Sequence, residues 1–313
     1  MNKVFFAFIL LLAYACSPKH EHATATIEPS SAEAISFSGK PLFAPSVDPE
    51  VLAKTDSIIA SLKATSDLTE EDYIQIGLQL IGSSRYNAAI ENYTEGLQKF
   101  PSSFKLLRHR GHRYISIRQL EKAISDLNQA EELIRDQPDV LEYDAAGKTT
   151  GTYQHWIWYH IGLYYFLNQA YLQAAPAYEK CLEASRSDKN IVGASDWLYN
   201  TYMRLGKVSE AQKLLEPITP DFDTDREHPY FRRVMLYKGV ITPEELVDVN
   251  QDPASTSVGD VTKMYGLANW YAYQGDQEKA MTLYKKIVQS ESGWPGFAFA
   301  AAEKELANAA SAQ

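Results

Sequence analysis

The chain has 313 residues, 45% of them hydrophobic and 22% charged, an ordinary globular composition with room for one large domain or two small ones. Its 30 Lys and Arg stand against 40 Asp and Glu, a formal net charge of −10. That balance excludes nucleic acid as a partner unless the charge is strongly segregated.

In chain order, Lys3 is followed by an unbroken apolar run from Val4 to Ala15. The run is shorter than the roughly 20 residues needed to span a bilayer, and it has the length of a signal-peptide core. It ends in Ala13-Tyr14-Ala15-Cys16. Small residues just before a Cys resemble the lipobox of bacterial lipoproteins. That resemblance implies removal of residues 1–15 and acylation of Cys16, which holds the protein stably on a membrane. The alternative is plain secretion with a free thiol. Ser17, rather than Asp, after the Cys implies the outer membrane of the cell envelope over the inner one, by resemblance to enterobacterial sorting. With Cys16 acylated, Cys181 has no partner and no disulfide framework exists.

Residues 16–47 are rich in Ser, Ala, Thr and Pro, and read as a lipidated flexible tether. His20 and His22 within it have no further ligand nearby, so no metal is expected. Residues 48–65 supply an N-terminal capping helix.

From residue 66 an internal period organises the chain. Tyr73, Gly77, Leu80, Tyr86, Ala89, Tyr93, Gly96 and Pro101 alternate large and small residues, then stop. Small residues let two antiparallel helices approach, aromatics fill the space between pairs, and Pro ends the second helix. Gly111 repeats Gly77 one period on, with Leu107, Tyr114, Ala123, Leu127 and Ala130 in register. Gly162 leads a third copy, with Trp158, Tyr165, Ala174, Tyr178 and Cys181. The extra length before it is a loop insertion, 136–153, carrying Gly-Lys-Thr-Thr-Gly turn signals. Leu198, Tyr202, Ala211 and Leu215 mark a fourth copy, and Leu267, Ala268, Tyr271, Gly275, Ala280 and Tyr284 the last. Between them residues 228–249 form a degenerate unit, with Gly239 as a stop, Thr242 as N-cap and Pro243 at the first helical position. The segment from Gly293 is a closing helix that covers the last unit's apolar face.

These spacings resemble the tetratricopeptide repeat (TPR). RHRGHRYIS, WIWYHIGLYYFL, AYEKCLEASRSDKN and WPGFAFAAAEKEL also resemble a family of bacterial TPR proteins of this size with no established activity. The resemblance implies an all-α, right-handed superhelical stack of about six hairpins with capping helices, covering 66–313. It also implies protein–protein contact rather than catalysis, and no cofactor.

In a TPR stack the first helix of each hairpin lines a concave groove. By that pattern the groove carries Arg108, His112, Trp156, Tyr159, Asn200, Tyr265 and Asn269, with Ile74, Leu78, Leu163 and Asp196. Asn side chains can pair with an extended backbone. Tyr and Trp give contact area at small entropy cost. Arg108 and His112 share one face, where an Arg fork binds a carboxylate. The expected ligand is thus a protein or peptide segment presenting an acidic group. Within RHRGHRYISIR, Arg110 is expected to be a structural ion-pair member, and Arg113 and Arg118 to lie toward the edge. His155 and His160 read as satisfied, partly buried side chains, and Cys181 as an inert buried thiol.

Two other functions fit the same residues. Tyr and Trp platforms with Asn, Arg and His also bind glycans, and TPR scaffolds carry some glycan-binding lipoproteins. An acid/base site would need the insertion to bring Glu142 and Asp144 to His109 and His112.

Overall fold

The computed structural model describes residues 32–311, and the signal segment, Cys16, His20 and His22 lie outside them. Six helical hairpins follow one another. They are α2 (Glu70–Gly82) with α3 (Tyr86–Lys99), α4 (Phe104–Ser116) with α5 (Leu120–Ile134), and α6 (Tyr153–Leu167) with α7 (Tyr171–Glu183). Then come α8 (Asp188–Arg204) with α9 (Val208–Leu215), α10 (Pro229–Tyr237) with the short α11 (Pro243–Leu246), and α12 (Val258–Tyr273) with α13 (Gln277–Ile287). Helix α1 (Pro49–Lys63) precedes them and α14 (Phe297–Ser311) closes the chain.

One local device makes all six hairpins. After each first helix a residue enters the left-handed region: Ser84, Arg118, Gln169, Gly206, Gly239 and Gly275, with φ between 57° and 87°. The next amide then bonds five residues back, Arg85 to Leu80 and Gln119 to Tyr114 for example, as in the Schellman motif. The degenerate unit shares it, Val240 bonding Met235. First helices start on side-chain caps, such as Thr69, Ser103, Thr152 and Ser187. The second helices α3, α5, α7 and α9 have no such cap, because the turn itself launches them.

Within a hairpin, Gly sets the approach distance. A Cβ on Gly77 would meet the Tyr93 ring at 2.2 Å, one on Gly162 the Tyr178 ring at 2.7 Å, and one on Gly111 Leu127 Cγ at 2.9 Å. The three pairs have the same spacing. Gly266 departs from it: there the intruding side chain is Arg233 of α10, with Cγ 2.5 Å from an added Cβ.

Three features differ from the sequence reading. The insertion is a β-hairpin, β3 (Leu141–Tyr143) with β4 (Thr149–Thr152), turning at Gly147 with φ 76°. The last part of the tether is folded too. Its hairpin β1 (Ala34–Ile35) and β2 (Pro41–Leu42) is anchored where Asn87 N donates to Glu33 and Trp294 Nε1 donates to the Phe43 carbonyl. Finally, α14 does more than cap the last hairpin. It packs on α12 and α13 and continues across to α4 and α6. Arg118 is buried there in an ion pair with Glu303 at 2.8 Å, a correction to its expected place at the edge.

Candidate functional site

Helix α4 presents Arg108, His109, His112 and Arg113 on one face, at the i, i+1, i+4 and i+5 spacing. The β-hairpin lies over it. In β3 the side chains alternate, so Leu141 and Tyr143 face solvent and Glu142 faces in. Glu142 Oε1 meets Arg108 at 2.9 Å with both side chains 5% exposed. The carboxylate expected from a partner is therefore supplied by the chain itself. Burial pushes Glu142 up to about 7, and Arg108 pulls it back. Thr150 donates to Glu142, Trp156 Nε1 donates to Thr150, and the Arg108 guanidinium lies 5.6 Å from the Trp156 ring. Asp144 caps its own turn by accepting from Ala146 N and Lys148 N, so it does not join Glu142 in an acid pair.

Helix α6 brings an aromatic cluster beside that face. His112 and His160 rings are 4.2 Å apart, and Phe297 of α14 lies 5.0 Å from His112 and 6.2 Å from Tyr159. Tyr159 OH donates to Tyr230 OH at 2.9 Å and accepts from Trp197 Nε1 at 2.7 Å. Trp156, His112, Tyr230 and Phe297 stay partly exposed around the buried Tyr159 and His160.

The other expected groove residues are interior. Asn200, Tyr265 and Asn269 are all 0% exposed. Asn269 Nδ2 donates to Asn200 Oδ1 at 2.9 Å, Tyr273 OH donates to the same oxygen, and Tyr284 OH donates to Asn269 Oδ1. Arg204 bonds Asn269 and Glu305 of α14. These amides are spent on each other, which corrects their assignment as peptide-binding groups. Arg108 and Tyr159 are corrected likewise, since their polar atoms face Glu142 and Tyr230. The physical reason is that three elements cover these residues: the β-hairpin at Arg108, α10 at Tyr159 and α14 at Arg204. Sequence reasoning saw α14 only as a cap, and its Glu303 and Glu305 were the signal that could have paired it with Arg118 and Arg204. Arg113 is buried as well, 8% exposed, not at the edge.

Four other side chains fall elsewhere. Arg110 forks onto Asp126 at 2.7 and 2.8 Å. Cys181 is fully buried, its thiol pushed well up by burial. Ile161 lies in the core, and Trp158 lines an outer cleft of about 280 Å³ with Gln154, Lys180 and Arg186. Among the described residues no group of three or more His, Cys, Asp or Glu is arranged to hold a metal ion. No helix among them is long and apolar enough to cross a membrane.

The buried histidines make a pH prediction. Burial lowers His109, His112 and His160 well below 6.5 and His155 to about 4. The unfolded chain therefore takes up protons first as pH falls below 6.5, and folding loses stability from there down to about 4 for His155. Glu142 and Asp196, both raised to about 7, oppose this, because the folded state holds their protons. A single replacement separates the two effects. His155→Gln is expected to be about 2 kcal/mol better off relative to wild type at pH 5 than at pH 7. Urea unfolding at both values measures it, and an unchanged difference would refute the neutral buried His155.

The tetratricopeptide repeat family matches residues 157–188, from within α6 through α7 to the first residue of α8. No curated protein matches the chain. Among solved structures, a tetratricopeptide repeat protein from Parabacteroides merdae ATCC 43184 is 17% identical, over 77% of this chain and 92% of that one, with a TM-score of 0.47. YrrB, described as a TPR protein with an unusual peptide-binding site, is 15% identical over 75% and 90%, with a TM-score of 0.39. The TPR domain of P58(IPK) is 16% identical over 84% and 77%, with a TM-score of 0.28. The matched hairpin shares its Gly-on-large-residue contact with α2–α3 and α4–α5, and its left-handed turn with all the others. Residues 157–188 are thus similar to a tetratricopeptide repeat, and the neighbouring hairpins are built on the same contacts.

Proposed function

We propose that this protein is a membrane-tethered adaptor, exported to the bacterial cell envelope and anchored through Cys16, that docks a protein segment on its concave face. The observation that carries the reading is the ring of partly exposed aromatics, Trp156, Tyr230, Phe297 and His112, over a polar floor. Aromatic side chains held at the surface by a rigid, hydrogen-bonded base are what interface anchors require. The docking place is this ring rather than the full groove, because the β-hairpin, α10 and α14 cover the rest.

A photo-crosslinking residue at position 156 is expected to trap a protein partner in native membranes, identified by mass spectrometry. The same residue at the outward Leu172, 74% exposed, serves as control. Equal products from both positions, or none from 156, would remove the assignment. Cys16→Ser is expected to move the protein out of the membrane fraction. The glycan reading rests on the outer cleft at Trp158, where an aromatic plane sits beneath Lys180 at 4.0 Å. Retention of a glycan by wild type but not by Trp158→Ala would favour it.

A further inference from the structure

The α4 face is out of balance in a way the aromatic ring above does not explain. Two guanidinium groups, Arg108 and Arg113, are buried together, and Arg108 alone has a carboxylate, Glu142. Among the described residues no carboxylate stands within ion-pair distance of Arg113, whose described contact is the Tyr86 ring at 6.0 Å. The neighbouring histidines are neutral and cannot compensate it. A buried cation without a counter-charge is costly, and buried donors without acceptors add to that cost.

The hydrogen-bond pattern says what kind of group is wanted. Arg108 NH1 lies 3.1 Å from His109 Nδ1 and can only donate, so Nδ1 accepts and the His109 proton sits on Nε2. That N–H has no acceptor. Arg108 Nε and Arg113 Nε also lack one. Three buried N–H donors thus arise from consecutive turns of one helix face, with an excess positive charge among them. Such a set suits an acceptor-only, negatively charged group, and Arg forks favour the geometry of carboxylate and phosphate. Glu142 Oε2 is unpartnered too, but that carboxylate is already engaged with Arg108 through its other oxygen.

We propose that Arg108, His109 and Arg113 form an internal site for a small oxyanion, a carboxylate or a phosphate, that neutralises the second guanidinium. Of the three, Arg108 alone lies against Trp156, and the site stands whether or not a protein segment docks on the aromatic ring. The test uses the mature chain, unfolded and refolded so that no ligand is carried over. Its melting temperature is measured in sodium acetate, sodium phosphate and sodium chloride at equal ionic strength. Acetate or phosphate is expected to raise the wild-type midpoint by about 3 °C over chloride, and the better of the two names the class. In Arg113→Met the gain is expected to vanish, which separates binding from the general stabilisation of native structure by phosphate excluded from the surface. Equal gains in wild type and Arg113→Met would overturn the site. Calorimetric titration of the refolded wild type with the same two salts decides it if that variant does not fold. Saturable one-to-one heat supports the site, and dilution heat alone overturns it.

Discussion

Arg233→Ala is expected to cost about 3–5 kcal/mol of stability at pH 7, most of what a domain of marginal stability has. Arg233 and Asp196 are both 0% exposed and meet at 2.9 Å. The guanidinium is enclosed by the Trp197, Tyr230 and Tyr265 rings, each within 5.6 Å of it. Removing it leaves the Asp196 carboxylate with no charge partner, and neither of its oxygens has a hydrogen bond to fall back on. The remaining carboxyl, already raised to about 7 by burial, would fold only protonated. Replacing both, Arg233→Met with Asp196→Leu, is expected to recover most of the loss, because two apolar groups of similar volume need no partner. Urea unfolding of the three proteins measures this. A loss under 1 kcal/mol for Arg233→Ala would mean that water reaches the pair. The pair matters because it ties the degenerate α10 to α8 and, through Gly266, to α12.

Truncation after Ser292 is expected to abolish cooperative unfolding. It removes Trp294 and Phe299, 1% and 2% exposed, and loss of one such side chain from a core costs about 3–5 kcal/mol. It also strips Glu303 from Arg118 and Glu305 from Arg204, leaving two enclosed cations unpaired. The sum exceeds the usual stability of a domain. Near-ultraviolet circular dichroism during a thermal scan checks it: the truncated chain should show no sharp transition. A sharp transition within about 10 °C of wild type would make α14 a removable plug, and the open groove would return as the docking site.

Much of the hairpin frame was legible because its determinants are local. Gly77 with Tyr93, Gly111 with Leu127, and Gly162 with Tyr178 are contacts between adjacent helices, so a fixed spacing encodes them. Thr242 and Pro243 mark a helix start by the backbone chemistry of a few residues, and Thr242 with Glu245 closes a capping box there. The turns were less legible. Only Gly206, Gly239 and Gly275 announce a left-handed residue, while Ser84, Arg118 and Gln169 take that conformation against their usual preference, held by the Schellman bonds around them.

The candidate site was legible in its residues and not in its exposure. Arg108, Trp156 and Tyr159 do lie beside one another, and His112 packs near them on His160. What covers them could not be read, because the covering groups come from outside the register: Glu142 from the insertion and Phe297 from α14.

By itself the sequence determined the hairpins, their order and which helix of each faces inward, since periodicity and capping act over one or two turns. The tertiary structure alone decided that the inward side is filled. That outcome rests on contacts such as Arg118 with Glu303, 185 positions apart, where no spacing rule operates. Two buried charges found each other there because neither could be left unpaired.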